Sequence, residues 1–197
     1  FITNKGHYAH MGCCEVLVNE PLQKQLIDTV IQTVTPQACI HFLGVEHGYF
    51  IGDQKKYEKD CEKYPDGWLL YGYHPEIPVY SFDLSYDRVD QITTLQEVLS
   101  DLCVLNPHGP HPSCDVTIAG FDKGDAILQV AERLGVPPEN TYAFGDGKND
   151  RCMLVKAGHG IAMGNGDPDT KAVAEYITTS IDEDGVANGL KHYGLIP

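Results

Sequence analysis

The sequence predicts an α/β fold: a partial doubly wound, Rossmann-like parallel-sheet core interrupted by an inserted α+β domain. Three observations carry this. From about residue 120 onward, short apolar runs such as "TYAFG" and "HGIAMG" alternate with amphipathic runs of helical period. Apolar runs of that length are buried-strand signals, and strand–helix alternation implies a parallel sheet with helices on its faces. The middle, roughly 19–112, reads instead in the order α-β-β-α-β-α-β-β, which is an α+β arrangement. Two short strand-like runs, 1–5 and 13–18, flank a glycine-containing turn ahead of that middle region. The expected division is therefore a hairpin of the core at 1–18, the inserted domain at 19–112 and the rest of the core at 113–197.

The elements follow in order. "NEPLQKQLIDTVIQTV" reads as a helix capped by Asn19 or Glu20, with Pro21 in its first turn and Leu22, Leu26, Val30 and Val34 on one face. "ACIHFLGV" and "GYFIG" are strands, and "QKKYEKDCEKY" is a charged helix with a solvated face. "PVYSFDLS" is a strand, "VDQITTLQEVLSDL" a helix, and "CVLN" and "DVTIAG" are strands joined by a His/Pro/Gly turn. "KGDAILQVAERLGV" is an amphipathic helix ended by Gly135 and two prolines. "NDRCMLVKAG", "PDTKAVAEY" and "DEDGVANGLKHY" supply the later helices.

Composition narrows the function. The formal charge is −14, from 28 acidic and 14 basic residues, which argues against nucleic acid or an anionic membrane as partner. It leaves room for an anionic small substrate held by a local cation. No apolar run is long enough to span a bilayer. Seven cysteines with no CxxC spacing read as reduced thiols of a cytoplasmic protein. The nine histidines form no HxxxH pattern, and His108 and His111 in "NPHGPHPSC" read as turn residues rather than a zinc site.

The chemistry concentrates in "GDGKND", 145–150. It follows an apolar strand and precedes a helix. In an open parallel sheet, ligands bind beyond the carboxyl ends of the strands. "TYAFG" delivers Asp146 to such an end, and a helix start near Asn149 turns backbone N–H groups toward the same place. Asp146 and Asp150 with an amide between them suit a hard cation and a phosphate held together. Lys123, where an earlier strand meets a helix, can lie beside the same crevice and neutralise phosphoryl charge. Lys148 reads as an exposed turn residue, and Met153 and Leu154 as core.

These residues resemble the haloacid dehalogenase-like superfamily, in particular its Cof-type, sugar-phosphatase-like branch. The resemblance runs from "FDKGDAILQVAERLGVPPENTYAFGDGKNDRCMLVKAGHGIAMGNG" through "AEYIT" and "DEDGVANGL". "FITNKGHYAHMGCCEVLVNEPL" is similar to the family's hairpin leading into its cap, with Lys5 where the family usually has asparagine. The resemblance implies that Lys123 steadies the phosphoryl group and the nucleophile, that Asp146 binds Mg²⁺, and that Asn149 contacts the substrate phosphate. Asp150 would orient the lysine or support the metal shell. The implied reaction is phosphate-monoester hydrolysis through an aspartyl-phosphate, acting on a small phosphorylated metabolite such as a sugar phosphate. The inserted domain would be the cap that selects the leaving group. "WLLYGYHPEIPVY", with Trp68, Tyr71, Tyr73 and His74, is its candidate substrate-facing surface, or else part of the cap's own packing.

Two family motifs do not occur: the DxDGT-like nucleophile motif and the serine or threonine phosphate anchor. Asp83 and Asp87 in "SFDLSYD" lack the Gly-Thr that would mark a nucleophile. The expectation is a chain that does not hydrolyse phosphate esters alone. It would be completed by a preceding segment or by another chain, because the sheet would otherwise present an open edge. A non-catalytic binding or regulatory module with the same fold is the alternative, and a phosphomutase would need the same missing aspartates.

Overall fold

The computed structural model describes residues 2–3, 5, 7–11, 15–35, 37–120 and 122–197. In chain order its elements are β1 (Ile2–Thr3), β2 (Tyr8–Met11), β3 (Glu15–Asn19), α1 (Lys24–Val34), β4 (Cys39–Gly44), β5 (Gly48–Ile51), α2 (Gln54–Cys61), β6 (Leu69–Tyr71) and β7 (Val79–Ser85). There follow α3 (Gln91–Leu99), β8 (Cys103–Pro107), β9 (Ser113–Ile118), α4 (Lys123–Arg133), β10 (Tyr142–Gly145), α5 (Arg151–Lys156), β11 (His159–Ala162), α6 (Pro168–Val173), β12 (Tyr176–Ile177) and α7 (Gly185–His192). The chain forms two compact units, one of residues 1–2, 9–18 and 121–197, the other of residues 3–8 and 19–120. The division drawn after residue 112 in the sequence falls in the turn between β8 and β9. In the structure β9 pairs with both β7 and β8, so 113–120 go with the middle unit.

The middle unit is built on one sheet in the order β6-β5-β4-β7-β9-β8, antiparallel except for β5 with β6. Strand residues alternate between faces. Ile40, Phe42, Phe82, Leu84, Cys114 and Val116 share the buried face, against Ile27, Val30 and Val34 of α1 and Leu95 and Leu99 of α3. The spacing of the three α1 residues is that of one helical stripe. The helix begins at Lys24, four residues after the expected cap at Glu20. Asn19 is instead the last residue of β3, and its side chain accepts a hydrogen bond from Tyr80 Oη at 2.7 Å. The N–H groups of Glu20 and Leu22 are spent on the carbonyls of His7 and Val79, which holds this stretch extended.

The opposite face carries polar groups. His41, Asp83 and Asp115 lie side by side across β4, β7 and β9. Two carboxylates directly opposed across strands repel, and Lys5 answers them, with Nζ 2.5 Å from Asp83 Oδ1 and 3.8 Å from Asp115 Oδ1. His41 and Asp60 of α2 are both only 8% exposed, 3.3 Å apart, so the helix read as a solvated face buries a carboxylate on its inner side. Burial pushes the His41 imidazole down to about 4, against the pull of Asp60 and with help from Lys63 and Lys56. The folded value lies below the unfolded one of 6.5, so the unfolded chain takes up the proton first as pH falls. Stability held above about pH 6.5 is thus lost as pH drops toward 4, at about 1.4 kcal/mol per pH unit. Urea midpoints measured between about pH 7 and pH 4 are expected to fall along this slope, and to fall less steeply in His41→Gln.

In the other unit β10, β11 and β12 form a parallel sheet in that order, with Gly145 opposite Ala162 and Ala162 opposite Ile177. Ala143, Leu154, Ala157 and Ala162 make its core, with Ile127 and Met153 against them. Ala9, Leu17 and Val18 pack on Val130 of α4. Of the strands read at 1–5 and 13–18, the first corresponds to β1 and the second to β3, while β2 falls in the stretch read as the turn between them and pairs with both; Cys13 and Cys14 lie outside the described residues.

Candidate active site

Parallel strands end on one side of their sheet, so the loops after β10, β11 and β12 gather at one pole. Gly145 ends β10, and the turn that follows is held by its own last residue. Asp150 Oδ2 accepts the backbone N–H of Asp146 at 3.2 Å and of Gly147 at 3.3 Å. A side chain at Gly145 would place its Cβ 2.5 Å from Asp150 Cβ, so only glycine lets the carboxylate fold under the strand end. A short 3₁₀ turn over 148–150 leads into α5, which begins two residues after Asn149.

Lys123 reaches this turn from the first position of α4. The Asp122 side chain accepts the N–H groups of Gly124 at 2.8 Å and Asp125 at 3.0 Å, and Asp125 in turn accepts the Asp122 N–H, a reciprocal cap. Lys156 of α5 bridges Asp122 at 2.9 Å and Asp125 at 2.7 Å. Burial alone would raise the Asp122 carboxyl, but the Lys156 ammonium and the cap N–H groups outweigh it and hold the group below its usual range. With its helix start fixed in this way, Lys123 extends Nζ to 2.7 Å from Asp150 Oδ1. Asp150 is buried, and the lysine side chain is about a third exposed, at 32%.

Asp146 itself is exposed, and its Oδ2 accepts the Asn165 amide at 3.2 Å. Asn149 is half-buried, and its side-chain amide makes no hydrogen bond among the described residues. The structure thus brings Lys123, Asp146, Asn149 and Asp150 into one turn-and-helix cluster. Lys148 is exposed in the same turn. Arg151 turns away to Asp167 at 2.8 Å and Asp169 at 3.3 Å.

A family profile described as haloacid dehalogenase-like hydrolase matches residues 1–190. The chain belongs to that family. Among the curated relatives of this haloacid dehalogenase-like chain, 5-amino-6-(5-phospho-D-ribitylamino)uracil phosphatase YcsE of Bacillus subtilis is 34% identical over 128 residues, covering 65% of this chain and 47% of its own. Phosphatase YwpJ of the same organism is 47% identical over 70 residues, covering 36% and 25%. The chain spans about half or less of the length of these two relatives. A crystal structure of a hypothetical protein from Geobacillus kaustophilus superposes with a TM-score of 0.78 at 26% identity, covering all of this chain and 77% of that one. The structure of a haloacid dehalogenase subclass IIB sugar phosphatase matches at a TM-score of 0.76 and 24% identity, over 98% of this chain and 74% of that one, a likeness of fold.

The other residues singled out in the sequence fall in the middle unit. Asp83 is paired with Lys5, and Asp87 with Lys56 at 2.7 Å. His108 is bonded to Ser113 at 2.9 Å and Asp115 at 3.1 Å. Trp68 stacks on Tyr64 with ring centroids 4.8 Å apart. Tyr71 and Tyr73 are exposed, their hydroxyls on Gly52 O and Asp28, while His74 meets Glu76 at 3.0 Å. Sequence reasoning passed over Asn165, whose only signal was a place in "MGNGD" after a buried strand.

No group of three His, Cys, Asp or Glu side chains is arranged to hold a metal among the described residues. Mg²⁺ does not need one: it is commonly held by one or two carboxylates, with waters and phosphate oxygens filling its octahedron. Asp146 fits that share. Its carboxylate is exposed at the pole of the sheet and, among the described residues, bonded only to a neutral amide, whereas Asp150 is already engaged by an ammonium and two N–H groups.

Proposed function

We propose that this chain carries the phosphoryl-binding and metal-binding part of a Mg²⁺-dependent phosphate-monoester hydrolase acting on small phosphorylated metabolites such as sugar phosphates. The observation that carries the reading is the Lys123–Asp150 contact of 2.7 Å in the same turn that displays Asp146. Lys123 binds a phosphoryl oxygen and neutralises its charge, and Asp150 holds the ammonium in place for it. Asn149 donates its side-chain N–H to the phosphate. Asp146 would hold Mg²⁺, which when bound supplies positive charge to the phosphoryl oxygens. The attacking aspartate belongs, on this reading, to a segment outside these 197 residues, which would also complete the parallel sheet beside β10. The aromatic stretch 68–80 of the middle unit would act as part of a cap that meets the leaving group. A cytoplasmic setting goes with small phosphorylated substrates and with the free thiols of Cys39, Cys61, Cys103, Cys114 and Cys152. No described helix is long and apolar enough to cross a membrane.

The test is phosphate release by the natural polypeptide from a panel of sugar phosphates that also includes 5-amino-6-(5-phospho-D-ribitylamino)uracil, the ester from which YcsE takes its name. Turnover is expected with Mg²⁺ and its loss with EDTA, while the 197-residue chain alone is expected to show none. A polypeptide that binds these esters without ever releasing phosphate would be the non-catalytic module instead.

A further inference from the structure

We infer that Asn165 is a positioning residue for the carboxylate of Asp146, an assignment that rests on Asp146 as the cation ligand of the proposed function. The Asn165 amide stands between two fixed points. Its Oδ1 accepts the backbone N–H of Ile181 at 3.0 Å, and its Nδ2 donates to Asp146 Oδ2 at 3.2 Å. The first bond sets the second: a backbone N–H can meet only the amide oxygen, so the NH₂ group must face the carboxylate.

Both ends of this bridge are rigid. Ile181 opens a turn closed by Glu183 N–H on Ser180 O at 3.0 Å and by Ser180 N–H on the Glu183 carboxylate at 3.3 Å. Asn188 ties the same turn from α7 through the Glu183 carbonyl at 2.9 Å. On the other side the Asp167 N–H donates to the Asp146 carbonyl at 3.0 Å, so the 163–167 loop grips main chain and side chain of Asp146 together. Gly166 permits the approach: a Cβ there would lie 3.1 Å from Asp146 O and 2.9 Å from Met163 O.

The consequence is specific to the carboxylate. Asp146 Oδ2 is engaged by a neutral donor, which orients the group without consuming its charge. Asp146 Oδ1 makes no hydrogen bond among the described residues and is the oxygen presented to a cation. Outer-shell partners of this kind typically change metal affinity by about 10–100-fold when removed.

The experiment titrates Mn²⁺ alone into the natural polypeptide, following free Mn²⁺ by electron paramagnetic resonance, and compares Asn165→Ala and Asn165→Gln. Asn165→Ala is expected to bind with unchanged stoichiometry and roughly 10-fold lower affinity. Asn165→Gln, which keeps an amide, is expected to recover part of that loss. Because the side chain is exposed, metal-free melting temperatures are expected to coincide. Unaltered affinity in Asn165→Ala, or affinity lost only together with the fold, overturns the assignment while leaving the functional reading intact. A parent protein that binds no Mn²⁺, or binds it equally well as Asp146→Ala, overturns both.

Discussion

Lys123→Ala in the natural polypeptide is expected to lower kcat/KM for phosphate release by about 10²-fold or more, a loss of about 2.7 kcal/mol of transition-state stabilisation. The size follows from the lack of a substitute. Of the neighbouring cations, Lys156 is committed to Asp122 and Asp125, and Arg151 to Asp167 and Asp169. Releasing either would strip a cap or an anchor from the helices that build the pole. Lys148 lies in the turn but on its exposed side, and Lys148→Ala, the comparison variant, is expected to leave the rate nearly unchanged. Asp146→Asn keeps the shape and the approach of Asn165 but removes the charge, and is expected to cost about as much as the lysine, because one uncharged oxygen is a poor share of a Mg²⁺ shell. Steady-state kinetics with a saturating sugar phosphate separate the two. On the proposed function the lysine variant should stay slow whatever the metal concentration, whereas the aspartate variant should respond partly to added Mg²⁺. Phosphate release that survives both replacements would remove the proposed function altogether.

How much of this was legible beforehand differs between the two units for physical reasons. The parallel-sheet unit is dominated by local signals. Apolar strands such as "TYAFG", the amphipathic run "KGDAILQVAERLGV" and the glycine turn at 145–147 each state their structure within a few residues, and the cluster of Lys123, Asp146, Asn149 and Asp150 follows from them; the Asp122 cap that fixes the start of α4 was not read. The middle unit depends on pairing at a distance. β6, three residues of "WLLYGYHPEIPVY", exists because Gly48–Phe50 offer it a parallel edge, and nothing inside the segment announces it. β12, two residues long, exists because β11 offers it an edge in the same way. The buried His41–Asp60 contact joins a strand to a helix that looks fully polar on its own. The start of α1 was lost to two backbone bonds made with residues far along the chain or before it. Lys5 had a family precedent for a different residue, yet its partners Asp83 and Asp115 face each other only once the strands are in register. Asn165 was invisible for a similar reason: a single amide in a loop gains meaning only from the two groups it lies between.

The largest stability change is expected from Asp150→Ala. Asp150 is 8% exposed and accepts from three donors: the Lys123 ammonium and the N–H groups of Asp146 and Gly147. Breaking a fully buried ion pair from one side costs about 3–5 kcal/mol. Here the surviving lysine is about a third exposed and can recover water, so the ion-pair share is smaller. The two N–H groups have no such freedom under the strand end, and an unsatisfied buried donor costs about 1–3 kcal/mol. A net loss of about 2–3 kcal/mol follows, a fall of roughly 10 °C or more in melting temperature for a unit of this size. Asp150→Asn distinguishes the contributions. It keeps one oxygen for the backbone N–H groups and the fit against Gly145, and loses the charge that holds Lys123. If the turn matters more than the ion pair, Asp150→Asn should recover most of the stability while remaining catalytically poor, since its lysine is no longer anchored. If thermal melts show the asparagine and alanine variants equally unstable, the ion pair is the dominant element. A variant Asp150→Ala that melts with the parent would mean that the turn is held by the strand and α5 alone, and that the carboxylate serves only the lysine.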